Sequence, residues 1–185
     1  MTINRNNLVW MDLEMSGLDP ERETILEIAT IITDGDLNVL AEGPNIVIHQ
    51  PDEVLDNMDE WCTQHHAQSG LTAKVRNSLV SMRKAEIETL NFIKKYVPER
   101  CSPLCGNSIH QDRIFLSRYM QELEAYVHYR NLDVSTIKEI GRRWYPKTKA
   151  PLKQSEHLAL SDVRESINEL AFYRKHLFVK ATPKK

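Results

Sequence analysis

Five side chains in this sequence, four carboxylates and an imidazole, stand where they could act together. Asp12 and Glu14 interrupt the apolar run Leu8-Val9-Trp10-Met11-Asp12-Leu13-Glu14-Met15. In a strand this spacing puts both acids on one face, with Met11, Leu13 and Met15 on the other. Paired carboxylates on a buried strand repel and are costly to desolvate, and a divalent cation is the usual remedy. Other acids two apart (Asp19/Glu21, Glu21/Glu23, Asp34/Asp36, Glu86/Glu88 and Glu122/Glu124) lie in polar turns or helical stretches where water solvates them. Two further acids follow a strand end or open a helix: Asp112, after Gly106-Asn107-Ser108-Ile109-His110-Gln111, and Asp162, after His157-Leu158-Ala159-Leu160-Ser161. Each read alone is a metal ligand or simply a favourable charge at a helix start. His157, alone, is a base or an ordinary surface histidine. In one continuous helix His157 and Asp162 would lie about 140° apart, so His157 must precede the helix or sit on its first turn to share a site. Together the four acids form a hard oxygen donor set that favours Mg²⁺ or Mn²⁺ over zinc. Two such ions about 3.5–4 Å apart suit an in-line displacement at phosphorus, and an imidazole of pKa about 6.5 suits proton removal from water.

The elements that must position these groups follow from the pattern. After the first strand, Ser16-Gly17-Leu18-Asp19-Pro20 reads as a turn. Residues 24–33 form a β-branched second strand, Asp34-Gly35 a hairpin, and a third strand, interrupted near Gly43-Pro44, ends at Ile46-Val47-Ile48. These three make an antiparallel meander. Glu53 to Gln68 is a polar helical segment carrying Trp61, His65 and His66. Ser81 to Val97 is helical, with Ile87, Leu90, Ile93 and Val97 on one side, and Pro98 stops it. A short strand at 103–107, a helix from Asp112 to Val127, a strand from His128 to Val134 and a helix from Ser135 to Trp144, capped by Ser135, follow. The last helix runs from about Leu158 to Leu177, and 178–185 is a frayed basic tail. The expected fold class is α/β: a mixed sheet covered by helices, in one domain over 1–185.

With 24 Lys+Arg against 26 Asp+Glu, a net charge of −2, the 185-residue chain lacks the basic surplus of a protein that grips long nucleic acid. A short footprint remains compatible. No apolar run is long enough to span a membrane, and the polar start Met1-Thr2-Ile3-Asn4-Arg5 lacks a signal peptide's apolar stretch, which together point to the cytoplasm. The cysteines, Cys62, Cys101 and Cys105, are expected to be reduced there. A zinc set from them with His65 and His66 is conceivable, but Cys105 falls in a strand, which favours a small buried apolar role.

Several longer runs carry a resemblance: Trp10-Met11-Asp12-Leu13-Glu14-Met15-Ser16-Gly17-Leu18-Asp19-Pro20, Cys105-Gly106-Asn107-Ser108-Ile109, Tyr129-Arg130-Asn131-Leu132-Asp133-Val134-Ser135-Thr136 and Asp162-Val163-Arg164-Glu165-Ser166. With the acid–x–acid strand, the Asn107…Asp112 segment and the His157–x4–Asp162 segment in order, nearly the whole chain resembles the oligoribonuclease family of DEDDh 3′→5′ exonucleases. The resemblance implies a ribonuclease H-like five-stranded sheet, an antiparallel meander plus parallel strands. It implies an exoribonuclease that releases nucleoside 5′-monophosphates from very short, 5′-phosphorylated RNAs, dinucleotides included. A general or proofreading exonuclease on longer RNA or single-stranded DNA is the alternative, and a non-catalytic module should have lost one of the five site residues. By position, Asp12, Glu14, Asp112 and Asp162 would hold two Mg²⁺ or Mn²⁺ ions and His157 would be the general base. Leu18 and Trp61 would wedge and stack against bases. Ser108, Arg130, Ser135 and Thr136, with His66, would cap the 5′ phosphate. Tyr129 and Arg130 would reach the site from a partner subunit, which implies a homodimer. His110, two residues before Asp112, is read as a loop residue near the ligands and not as the base.

Overall fold

The computed structural model describes residues 3–150 and 158–179. Its sheet has five strands in the order β3-β2-β1-β4-β5, where β1 is Leu8–Met15, β2 Ile25–Thr33, β3 Val39–Val47, β4 Leu104–Gly106 and β5 Asn131–Asp133. β1 to β3 pair antiparallel, as the hairpin and turn residues require, while β4 and β5 join β1's other edge in parallel. β1 is therefore the middle strand. β2, with every residue buried, reads ILEIATIIT for that reason.

The helices are α1 (Asp52–Asp56), α2 (Glu60–Gln68), α3 (Leu71–Asn77), α4 (Met82–Ile93), α5 (Ile109–Tyr119), α6 (Gln121–Tyr126), α7 (Val134–Trp144) and α8 (Ala159–Leu177). They cover both faces. Val9, Met11 and Leu13 pack with Leu90, Ile93, Phe115 and Leu123 of α4 to α6. Trp10, from the opposite face of β1, packs with Val134 of α7 and with Val163, Ile167 and Tyr173 of α8. The alternation places Asp12 and Glu14 on the α8 side, as their spacing requires. Leu55, Cys62, Leu71 and Val75 of α1 to α3 close a smaller cluster on Leu26.

One expectation is met in detail and four change at their edges. β3 is interrupted at Gly43-Pro44 as expected, where a register shift opposite Ala29 to Ile31 absorbs the proline on an edge strand, and it runs on to Val47. A Cβ at Gly43 would meet the Phe92 ring at 2.6 Å, so glycine is what lets α4 close on β3. The segment 53–68 divides into α1 and α2, followed by α3. Ile87 is an exposed residue, and the buried side of α4 is Ala85, Glu86, Thr89, Leu90 and Ile93. The 112–127 helix starts earlier, at Ile109, and breaks at Met120 (φ −138°, ψ 60°). There the buried Glu86 carboxylate accepts the Glu122 and Leu123 N–H groups and starts α6 afresh. The cap of α7 is Asp133, which accepts the Ser135 N–H at 2.9 Å, and not Ser135. Among the described residues no helix is long and apolar enough to cross a membrane.

Candidate active site

Asp12 and Glu14 leave β1 towards the first turn of α8, which carries Asp162. One carboxylate oxygen from each of the three lies within 4.8 Å of the others. Hydrophobic packing of Val163 and Ile167 on Trp10 and Ala29 seats α8 there. At its start Glu27 Oε2 accepts the Ala159 N–H at 3.4 Å. Asp112 arrives on the first turn of α5, from the other side of β1. It is buried, and its Oδ1 accepts the Leu13 N–H at 2.9 Å, outside the group of three. Gly106 makes this approach possible, since a Cβ there would lie 2.8 Å from the Met11 carbonyl oxygen.

The electrostatics are those of uncompensated negative charge. Burial pushes Glu14 up to about 8, with the Asp162, Glu27 and Asp112 carboxylates adding to the rise. Asp112 is pushed up to about 7, chiefly by burial and against the hydrogen bond from Leu13, with Asp133 adding repulsion. Burial also raises Glu27, which lies directly opposite Glu14 in the β1–β2 ladder. A cluster of oxygen donors whose ionised form is disfavoured by burial first and by the neighbouring carboxylates second fits a hard divalent cation. The cysteines do not compete for that role. Cys105, Cys62 and Cys101 pack in or against three different apolar clusters, and among the described residues no cysteine joins a potential ligand group.

A second cluster forms where β4 and β5 end. Ser108, His110, Asp133, Ser135 and Thr136 line a pocket of about 450 Å³, whose outer wall includes the exposed Trp144. Ser108 adopts a left-handed conformation (φ 50°), which turns its N–H onto both Asp133 Oδ1 and Ser135 Oγ at 2.9 Å. The Ser108 and Ser135 hydroxyls are 3.1 Å apart. His110 Nδ1 lies 3.5 Å from Asp133 Oδ2, on the pocket wall. Arg130, Tyr129 and His66 do not line this pocket. Arg130 and Tyr129 are exposed before β5, with the guanidinium carbon 5.5 Å from the Tyr129 ring centre. His66 is buried, and its Nε2 donates to the Met15 carbonyl at 2.9 Å, tying α2 to the end of β1.

The two proposed base contacts are both open to solvent. Leu18 is 71% exposed, on a turn anchored by Gln111 Nε2, which donates to the Leu18 carbonyl at 2.8 Å. Trp61 is 56% exposed. The His65 ring stacks on it with centroids 3.9 Å apart, and His65 Nδ1 donates to the Trp61 carbonyl at 2.8 Å. His157 lies outside the described residues. Sequence reasoning gave no role to Glu27, Asp133 or the Asn107 amide. An acid inside the apolar run of β2 was a visible signal for Glu27. The other two have only the company they keep in the fold.

A mixed sheet whose middle strand carries acids towards a helix is shared with solved exonucleases. The closely superposable solved structures include a zinc-bound E. coli Exonuclease I–single-stranded DNA complex, with TM-score 0.74 and 14% identity over 94% of this chain. They include Exonuclease I of Methylocaldum szegediense too, with TM-score 0.69 and 19% identity over 92% of this chain. Each match spans 41% of the longer exonuclease chain, and at these identities the likeness is one of fold. The family model for exonucleases of the RNase_T type matches residues 9–170. Oligoribonuclease of Pseudomonas paraeruginosa is 61% identical over 178 residues, 96% of this chain and 98% of its own. That of Pseudoalteromonas translucida is 58% identical over 179 residues, 96% and 99% of the two chains. The chain therefore belongs to the exonuclease family, among the oligoribonucleases.

Proposed function

We propose that this protein, as one domain over residues 1–185, is a 3′→5′ exoribonuclease that cuts very short 5′-phosphorylated RNAs into nucleoside 5′-monophosphates. The observation that carries this is the meeting of Asp12, Glu14 and Asp162 oxygens within 4.8 Å of one another, in a fold whose next strand ends at a hydroxyl-lined pocket.

Asp12, Glu14, Asp112 and Asp162 would hold two Mg²⁺ or Mn²⁺ ions, which when bound neutralise charge on the phosphodiester and on the departing oxygen. The chain's own residues supply the rest. His157 takes a proton from the attacking water; the new P–O bond forms as the bond from phosphorus to the upstream 3′ oxygen breaks. The departing 3′ oxygen takes a proton from solvent water to become a hydroxyl, His157 returns its proton to solvent, and the terminal unit leaves as a 5′-monophosphate. Leu18 and Trp61 hold the bases by contact that any base satisfies. Ser108, Ser135 and Thr136 receive the 5′ phosphate, and His66 steadies the end of β1 behind the cluster. Tyr129 and Arg130, exposed on one subunit, would complete the partner's pocket in a homodimer. The absence of a basic surplus suits this reading, because an enclosed short substrate needs local donors and no long positive groove. A cytoplasmic location is part of the same proposal.

The test is hydrolysis of a 5′-phosphorylated dinucleotide, a long RNA and single-stranded DNA by purified protein with Mg²⁺, resolved by product length. A steep preference for the dinucleotide is expected. Equal or faster digestion of the long polymers would overturn the short-substrate reading and leave a general exonuclease.

A further inference from the structure

The two halves of the site, the carboxylates on β1 and α8 and the hydroxyl pocket at the start of α7, are joined by one side chain. Asn107 leaves the end of β4 between them. Its Nδ2 donates to Ser166 Oγ at 2.8 Å and to Glu169 Oε2 at 3.2 Å, both on α8. Its Oδ1 accepts from Ser135 Oγ at 3.1 Å, in the first turn of α7. The amide can point only this way round, because a carboxylate such as Glu169 accepts and the Asn107 carbonyl oxygen cannot donate to it. The contacts continue on each side. Ser166 Oγ donates to the Asp162 carbonyl at 2.9 Å, while Ser135 Oγ accepts the Ser108 N–H at 2.9 Å. A chain of hydrogen bonds thus runs from the backbone of Asp162, through Ser166, Asn107 and Ser135, to Ser108. Glu169, buried, is also held by Tyr173 Oη at 3.1 Å and by Lys138 Nζ at 3.4 Å, the latter from α7. Beside this polar line, Val134 and Ile137 of α7 pack in one apolar cluster with Val163, Ile167 and Tyr173 of α8. A polar seam inside an apolar one fixes relative position, since any slip leaves buried groups unpaired.

We infer that Asn107 is a positioning residue that sets the separation between the carboxylate cluster and the Ser108–Ser135 pocket, and so selects substrate length. The inference rests on the proposed function, in which one end of the RNA is cut at the first cluster while its 5′ phosphate sits in the second. Without the Asn107 bridge α7 can shift against α8, and the separation no longer matches a dinucleotide in particular. Cleavage itself, which depends on groups Asn107 does not touch, continues.

The experiment compares kcat and KM for a 5′-phosphorylated dinucleotide, its unphosphorylated form and a 5′-phosphorylated tetranucleotide, in wild type, Asn107→Leu and Ser166→Ala, with thermal melting of each. Leucine keeps the volume and removes both hydrogen-bonding functions. The expected result for Asn107→Leu is a loss of roughly tenfold in the dinucleotide-to-tetranucleotide preference, expressed in KM for the phosphorylated dinucleotide, with the unphosphorylated rate little changed. Ser166→Ala, which leaves Glu169 as an acceptor, moves the ratio the same way by less and decides the matter if Asn107→Leu fails to fold. An equal loss on all three substrates, or unchanged ratios in a folded variant, overturns the inference. A wild-type enzyme with no preference for the phosphorylated dinucleotide overturns the proposed function itself, and this control separates the two failures.

Discussion

Glu14 and Glu27 stand directly opposite each other across the β1–β2 ladder, so two carboxylates share one face of two buried strands. Side chains so paired are close neighbours, and like charges there destabilise the sheet. Glu27 has a second task, accepting the Ala159 N–H where α8 begins. Replacing Glu27 by Gln keeps an acceptor for that N–H and removes the charge. The metal-free variant is therefore expected to melt higher than wild type at pH 8, with divalent-ion affinity lowered several-fold. An unchanged melting temperature and unchanged affinity would show that Glu27 does not act on the cluster.

Burial, with the repulsion between these carboxylates added to it, sets a pH dependence whose sign is unusual for carboxylates. Glu14 is raised to about 8 and Asp112 to about 7, above the ordinary carboxylate range they have in the unfolded chain. The folded, metal-free protein therefore binds more protons than the unfolded chain between about pH 4 and 8. Stability contributed by these protonated groups is present at the acid end of that window and lost as pH rises through about 7 and 8. Melting followed without metal should show a decline from pH 5 to pH 8.5, and added Mg²⁺ or Mn²⁺ should reverse it.

Ion binding must also expel those protons. Calorimetric titration of Mn²⁺ at pH 7, in buffers of different ionisation enthalpy, is expected to show proton release that fades above about pH 9. Identical heats in all buffers at pH 7 would contradict a protonated Glu14.

Asp12→Ala removes a ligand and a repulsive charge together. Turnover should fall by several orders of magnitude while circular dichroism stays native, and the metal-free variant should be no less stable than wild type. Near-normal hydrolysis of a 5′-phosphorylated dinucleotide by this variant would sink the proposed mechanism.

How much of this was legible beforehand depends on the range of each interaction. Period-two alternation in β1 places Asp12 and Glu14 on one face without any knowledge of neighbours, and the Asp-Gly turn predicts the meander. The break at Met120 was not legible, because Glu86, more than thirty residues earlier in the chain, supplies the acceptor that starts α6. Ser135 is a good cap by residue type, but Asp133 is as good, and it takes the position and frees the Ser135 hydroxyl for Asn107. The four acids could be grouped by their order in the chain. That Asp112 enters from α5 and bonds to the strand backbone, while Asp162 meets the other two directly, is a matter of packing. Glu27 needed the register of β1 on β2, which no local pattern supplies.

The Trp61–His65 stack gives a prediction for the substrate-facing side. His65 Nδ1 is committed to the Trp61 carbonyl, so its ring is held flat against the indole of a Trp61 that is 56% exposed. A base that stacks on the exposed indole gains about 1–3 kcal/mol, which Trp61→Ala should return as a KM increase of about 5- to 150-fold with kcat changed far less. His65→Ala keeps the indole and removes its support, so a smaller KM increase is expected, because the ring must be ordered by the base itself. The two effects should not add: with Trp61 already gone, His65 has no indole left to support. A double variant weaker than Trp61→Ala by the full His65→Ala factor would mean that His65 meets the substrate on its own.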